Sequence, residues 1–225
     1  MKLPWSEIDR VFLDMDGALL DLHFDNHFWL EHVPRRYAES NGLSLDAAKN
    51  ELLPRYRQAE GSLDWYCVDY WSRELQLDIA LLKEEVEHLI AVHPHVLNFL
   101  DALRQLEKRV VLVTNAHTKS LDIKMRKTRL DGHLDAIISS HDLGLPKEDP
   151  AFWQRLHAVE PYANDRTLFV DDSLPVLESA RAHGIVHLLA ITNADSKGPP
   201  RDSGDFPAIA NFAELLPLGN SAPHR

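Results

Sequence analysis

Short apolar runs rich in β-branched residues recur along the chain, and each closes on polar side chains: "RVFLD" ending at Asp14, "VVLVTN" from Val110, "DAIISS" from Asp135, "TLFVDD" from Thr167 and "VHLLAI" from Val186. Runs of this length read as strands, and the stretches between them carry helical periodicity. In "VLNFLDALRQLE", Val96, Leu97, Leu100, Leu103 and Leu106 are expected to share one apolar face, with Pro94 near the helix start. "EDPAFWQRLHAV" sets Asp149 as a cap before Pro150, and "DDSLPVLESARAHG" sets Ser173 before a helix that Gly184 ends. This alternation predicts an α/β fold, a Rossmann-like parallel sheet core flanked by helices.

One interval breaks the alternation. From Asp21 to His93 there is no convincing strand but several helical patterns, among them "SLDAAKNELLPRYRQ" and "LLKEEVEHLIAV". A crossover between neighbouring parallel strands needs far fewer residues, so 21–93 is expected to be an inserted helical cap, with 1–20 and 94–225 forming the core. Pro54 is expected to break or kink the second of the inserted helices. "TNADSKGPPRDSGDFP" reads as loop, "NFAELLPL" as a short packed helix and "GNSAPHR" as a frayed tail.

Composition then narrows the partners. With 225 residues, 44% of them hydrophobic, the chain can bury a full core. A net charge of -11 argues against a broad nucleic-acid or anionic-membrane surface, so an anionic ligand needs a local site that overcomes the global field. The single cysteine, Cys67, excludes an intramolecular disulfide, and "MKLPWSEIDRVFL" lacks the apolar core of a signal peptide. With no apolar run of membrane-spanning length, the expectation is a cytoplasmic, membrane-free protein.

In an open parallel sheet, ligands gather at the carboxyl ends of the strands. Asp14 and Asp16 leave the first strand, Thr114 and Asn115 the second; Lys147 follows the third in "GLPKED", and Asp171 and Asp172 end the fourth. Each has an ordinary reading alone, as turn polarity or solvated surface. Their succession at strand ends is much rarer by chance. Carboxylates gathered together repel unless a cation neutralises them, and hard oxygen ligands suit Mg²⁺. Lys147, Thr114 and main-chain N–H groups near Gly17 can hold a phosphate, and an aspartate can attack it. A calcium loop in "DMDGALLD" fails on spacing, because the glycine is the fourth residue and no glutamate closes a twelve-residue loop. A receiver domain fails on order, since its acidic pair ends the first strand whereas Asp171 and Asp172 come late.

In this order the segments resemble the haloacid dehalogenase superfamily of phosphatases: "DMDGALLD" is similar to its first motif, "VLVTN" to its second, Lys147 to its third and "FVDDS" to its fourth. The resemblance implies Asp14 as nucleophile and Asp16 as proton donor and acceptor, whose main-chain carbonyl joins Asp14 and Asp171 in holding Mg²⁺. Asp172 would support the metal site, and Thr114, Asn115 and Lys147 would bind the phosphoryl group. Ala18 stands where threonine is common in the motif. Asp16 itself favours phosphoryl chemistry, because dehalogenases of the superfamily lack it.

At a finer level "LDMDGALLDLHFDNHFW", "LDWYCVDYWSREL", "TNAHTKSL" and "LPKED" resemble the bacterial GMP/IMP nucleotidase group. That implies a phosphate monoester substrate, a purine nucleoside 5'-monophosphate, and no nucleic acid polymer. The alternatives are a sugar-phosphate phosphatase or phosphomutase of the same superfamily, or a non-enzymatic phosphate-binding module. Trp65, Tyr66, Tyr70 and Trp71 read first as cap core, though a base could stack on one that faces the cleft. Asn26 and His27 are near enough in sequence to the first motif to contact substrate, and His117 is either a phosphate neighbour or a helix-start histidine with a structural hydrogen bond.

Overall fold

The computed structural model of the protein describes residues 3–218. The tail "GNSAPHR" lies outside the described residues. Six parallel strands form one sheet: β1 (Arg10–Leu13), β2 (Arg109–Thr114), β3 (Ala136–Ser139), β4 (Thr167–Asp171), β5 (His187–Ile191) and β6 (Ala208–Ile209), in the order β3-β2-β1-β4-β5-β6. The two-residue strand β6 lies within a stretch whose sequence carries no strand pattern.

Period-2 alternation decides what each face of the sheet meets. Val11, Leu13, Val110, Leu112, Leu168, Val170, Leu189 and Ile191 belong to one apolar cluster, while Phe12, Val111, Val113, Phe169, Leu188 and Ala190 belong to another. Every central strand is therefore covered on both faces, and its residues read as continuous apolar runs.

Between β1 and β2 the chain is helical: α1 (His23–His27), a π-helical turn (Phe28–His32), α2 (Val33–Asn41), α3 (Leu45–Ala59), α4 (Leu63–Tyr66), α5 (Val68–Leu75) and α6 (Ile79–Glu85). Their apolar faces, including Phe24, Phe28, Leu52 and Trp71, merge with the Val11 side of the sheet in a single cluster. Ser44, Ser62 and Asp78 accept main-chain hydrogen bonds at the starts of α3, α4 and α6, which satisfies donors that the helix leaves open. Pro54 does not break α3, which runs unbroken from Leu45 to Ala59.

Five helices complete the layers: α7 (Val96–Gln105), α8 (Thr118–Thr128), α9 (Ser140–Leu143), α10 (Pro150–Val159) and α11 (Leu174–His183). The α7 face differs from the expected one: Leu97 is 45% exposed and Phe99 is buried with Val96, Leu100 and Leu103. His95, in a left-handed conformation, holds the cap position of α7 without a side-chain capping bond, so the helix starts two residues after Pro94. Asp149 caps α10 as expected. Ser173 holds the cap position of α11 without a side-chain capping bond, and its main-chain N–H donates instead to Asp171 Oδ1 at 2.8 Å. Among the described residues no helix is long and apolar enough to cross a membrane.

Candidate active site

β1 lies between β2 and β4, where the strand order reverses, and the loops leaving the two sides open a crevice at the carboxyl ends. Asp14, Asp16, Thr114, Asn115, Lys147, Asp171 and Asp172, the residues singled out from the sequence, all line one cleft of about 380 Å³ at that crevice. The cleft continues upward against Trp29, Trp65 and Tyr66 of the helical segment.

Lys147 is the centre of the arrangement. Its buried ammonium donates to Asp14 Oδ1 at 2.5 Å, Asp171 Oδ2 at 2.7 Å and the Val113 carbonyl at 3.1 Å, which uses all three N–H bonds. Burial disfavours that charge, but Asp14 and Asp171 outweigh it and hold the ammonium above the ordinary lysine range. The loop that delivers Lys147 is tied down by Asn115, whose Oδ1 accepts from Lys147 N at 2.9 Å and whose Nδ2 donates to Glu148 Oε2 at 2.9 Å. The Asn115 side chain is thus occupied in shaping the lysine loop. Thr114 Oγ1 accepts from Ala116 N at 3.0 Å, and the residue is buried at the end of β2.

The acidic groups share a dry environment. Burial pushes Asp14 up to about 6, with Lys147 pulling the other way and Asp171 adding to the rise. Burial also raises Asp171, and burial together with Asp171 raises Asp172 well above the usual carboxylate range. Asp172 Oδ2 accepts from Arg201 Nη1 at 2.5 Å, so the long loop before β6 supplies a guanidinium to the site. Asp14, Asp171 and Asp172 each offer a carboxylate oxygen within 4.8 Å of the others. Hard, anionic oxygens that destabilise one another when ionised are a donor set that fits Mg²⁺.

Gly17 makes this closeness possible. Its φ is +95°, its N–H returns to the Leu20 carbonyl at 2.8 Å, and a Cβ there would fall on the Asp172 carboxylate. Ala18, in the place of the motif's threonine, is buried.

Asp16 takes a different partner. Its Oδ1 accepts from Lys124 Nζ at 2.6 Å, and burial pushes the carboxyl up to about 6 against the pull of that ammonium. Lys124 also donates to Asp25 Oδ2 at 2.7 Å, and Lys83 donates to Asp25 Oδ1 at 3.1 Å. Sequence reading passed over Lys124, Lys83, Arg201 and Glu148. The available signal was faint: Lys124 stands among Leu121, Ile123 and Met125 on the buried side of α8, where a lysine needs an anionic partner.

The other sequence candidates divide. Trp71 is buried in the helical core, whereas Trp65 stacks beside Trp29 with ring centroids 6.1 Å apart and lines the cleft. Tyr66 Oη donates to Glu148 Oε1 at 2.6 Å, and burial with Glu148 holds the phenol well above the ordinary tyrosine range. Asn26 lines the cleft and donates to Asp195 Oδ2 at 2.6 Å; His27 is not part of the lining. His117 caps α8 through Nδ1 and also lines the cleft. Burial holds its imidazole below the usual range and pulls that of His141 down to about 4.

Known proteins share this plan. "GMP/IMP nucleotidase YrfG" of Escherichia coli (strain K12) is 37% identical over 217 residues, covering 96% of this chain and 98% of its own. A "(S)-2-haloacid dehalogenase 4A" of Burkholderia cepacia is 28% identical over 159 residues, 63% of this chain and 64% of its own. Among solved structures, a HAD phosphatase from Thermococcus onnurineus superposes with a TM-score of 0.76 at 23% identity, covering 92% of this chain and 96% of that one. The haloacid dehalogenase-like hydrolase model matches residues 8–184, a span that runs from the approach to β1 to the cap of α11 and carries all four strand-end segments with it. The chain therefore belongs to the haloacid dehalogenase-like hydrolase family.

Proposed function

We propose that the protein is a Mg²⁺-dependent phosphatase that hydrolyses purine nucleoside 5'-monophosphates through an aspartyl-phosphate on Asp14. The observation that carries this reading is the Lys147 ammonium shared between Asp14 and Asp171, with Asp16 lining the same cleft. The purine class is supported by the 37% identity to a GMP/IMP nucleotidase and by a cleft of about 380 Å³ whose upper wall is aromatic.

In this reading Asp14 attacks phosphorus as the bond to the ester oxygen breaks, and Asp16 gives that oxygen its proton. Water then attacks the phosphorus of the aspartyl-phosphate while Asp16, now ionised, takes a proton from that water, and the bond from phosphorus to Asp14 breaks to restore the Asp14 carboxylate as phosphate leaves. A carboxyl pushed up to about 6 suits both roles near neutral pH. Lys147 and Thr114 offset charge on the phosphoryl oxygens. Asp14, Asp171 and the Asp16 carbonyl would hold Mg²⁺, with Asp172 alongside. When bound, the ion supplies neutralisation of the clustered anionic oxygens.

Residues 21–93 act as a cap over a core made by 1–20 and 94–225. Tyr66 to Glu148 and Lys124 to Asp25 are contacts across that boundary, and they support a cap that closes over substrate and excludes water.

The test is phosphate release from a panel of purine and pyrimidine 5'-monophosphates and sugar phosphates, with Mg²⁺ and with chelator. Purine monophosphates should be preferred, chelation should stop turnover, and Asp14→Asn should lower kcat on the order of 10⁴-fold or more while keeping the fold. Sugar-phosphate turnover with no purine nucleotide activity would overturn the substrate class. Wild-type-like turnover by Asp14→Asn would remove the nucleophile.

A further inference from the structure

A second cluster of ligating groups lies beside the cleft and plays no part in the chemistry above. Cys67 precedes α5 in the helical segment, His117 precedes α8 after β2, and His141 lies in α9 after β3. Each offers one donor atom, and the three atoms lie within 4.8 Å of one another at half-buried positions. The two imidazoles meet edge to face with centroids 4.8 Å apart. His141 Nε2 is buried with no hydrogen-bond partner, an expensive condition for a polar atom unless something else occupies its lone pair.

We propose that Cys67, His117 and His141 form a binding site for a borderline-soft divalent transition ion of the Zn²⁺ class, bridging the helical segment and the sheet edge. One thiolate and two imidazoles are a three-ligand set that leaves a fourth position for water, and they are the wrong donors for Mg²⁺. Two ions therefore sort by softness: the hard one to the carboxylates, the softer one to this seam.

Tetrahedral ligands about Zn²⁺ stand roughly 3.3–3.8 Å apart, so donors within 4.8 Å of one another need a contraction of no more than about 1.5 Å. The local bonds permit it. Cys67 Sγ already accepts from Tyr70 N at 3.4 Å, a hydrogen bond a thiolate keeps. The His117 Nδ1 bond from Lys119 N is long at 3.3 Å; ligation through either ring nitrogen gives it up, by using the lone pair or by moving the proton there. Asp69 Oδ2, 3.8 Å from His117 Nε2, supplies an anion behind the site. Binding deprotonates the Cys67 thiol and releases one proton per ion.

The seam adjoins Tyr66, so an ion held from both sides ties the helical segment down over the cleft. Slowed turnover as a consequence rests on the phosphatase reading; the site itself does not.

The experiment loads the whole protein, in saturating Mg²⁺, with Co²⁺ as spectroscopic probe and then Zn²⁺. One equivalent of Co²⁺ should give tetrahedral d–d bands and a thiolate-to-cobalt charge-transfer band, both displaced by Zn²⁺. Cys67→Ser should lose the charge-transfer band, and Cys67→Ser and His141→Gln should each bind Zn²⁺ at least about tenfold more weakly, with circular dichroism confirming their folds. Equimolar Zn²⁺ should slow phosphate release by the wild type and leave Cys67→Ser unaffected. Absence of the thiolate band, or a Co²⁺ signal that excess Mg²⁺ removes, would place the ion at the carboxylates and overturn the site. Equal Zn²⁺ inhibition of wild type and Cys67→Ser would overturn the clamp. A thiolate band in a protein that releases no phosphate would keep the site and remove the phosphatase reading instead.

Discussion

Lys124 holds Asp16 through a 2.6 Å ion pair that joins residues 108 apart in sequence. The same ammonium binds Asp25, and Asp25 in turn binds Lys83, so charge alternates from the strand-end carboxylate into the helical segment. Burial opposes every one of these charges. Asp16 and Asp25 nevertheless hold Lys124 above the ordinary lysine range, and the two lysines hold Asp25 below the usual carboxylate range.

Removing the shared cation leaves Asp16 and Asp25 facing each other in a poorly solvated space. Lys124→Met is expected to cost about 3–5 kcal/mol of stability. Below its melting temperature it should show a kcat lowered roughly 10–100-fold with KM little changed, because Asp16 loses its orientation and its proton is held more tightly. Thermal melts and steady-state kinetics read the two effects.

The raised carboxyls make metal-free stability depend on pH in a definite direction. Asp14 sits at about 6 when folded, above the ordinary carboxylate value of 3.8, so the folded chain binds a proton between those limits that the unfolded chain does not. Its contribution grows as pH falls from about 6 to about 4, by up to about 3 kcal/mol. His141, pulled down to about 4, loses stability across much of the same window, so the comparison must be with Asp14→Asn. Relative to that variant, metal-free wild type should gain stability on acidification. Mg²⁺ should reverse the trend, since the ion favours the ionised carboxylate. Denaturant melts at a series of pH values, with and without Mg²⁺, measure it.

Gly17→Ala forces a left-handed conformation on a residue with a Cβ and drives that Cβ into Asp172. Stability should fall by more than about 1 kcal/mol, and the Mg²⁺ concentration for half-maximal turnover should rise because the Asp172 carboxylate is displaced. Mg²⁺ titration of activity alongside thermal melts separates the two losses.

Trp65 contributes the accessible edge of an aromatic group that includes Trp29, Tyr56 and Trp71. If it carries the base, Trp65→Leu keeps the apolar volume and loses stacking worth about 1–3 kcal/mol. KM for GMP should then rise roughly 5–150-fold, while that for ribose 5-phosphate, which has no base, stays near the wild-type value. Equal effects on both substrates would assign Trp65 to packing alone.

Much of the molecule is legible before any coordinates. β1 to β5 announce themselves because a strand covered on both faces is a short apolar run, and Asp14, Thr114 and Asp171 follow from them because parallel strands bring their carboxyl ends to one edge. β6 escapes notice, since two residues carry no period. The inward face of α7 also departs from its expected phase, with Leu97 turned outward and Phe99 buried, because Phe99 packs against Trp5 and Phe212 from distant parts of the chain.

The polar residues that close each apolar run are a local property, and with parallel strands they were enough to predict the strand-end carboxylates and Lys147 at one crevice. The partners of those groups came from packing: Lys124 for Asp16, Arg201 for Asp172, Tyr66 for Glu148, and the meeting of Cys67 with two histidines. Buried ion pairs and ligand clusters depend on distances between segments far apart in sequence. No local pattern encodes such a distance until the helices have docked.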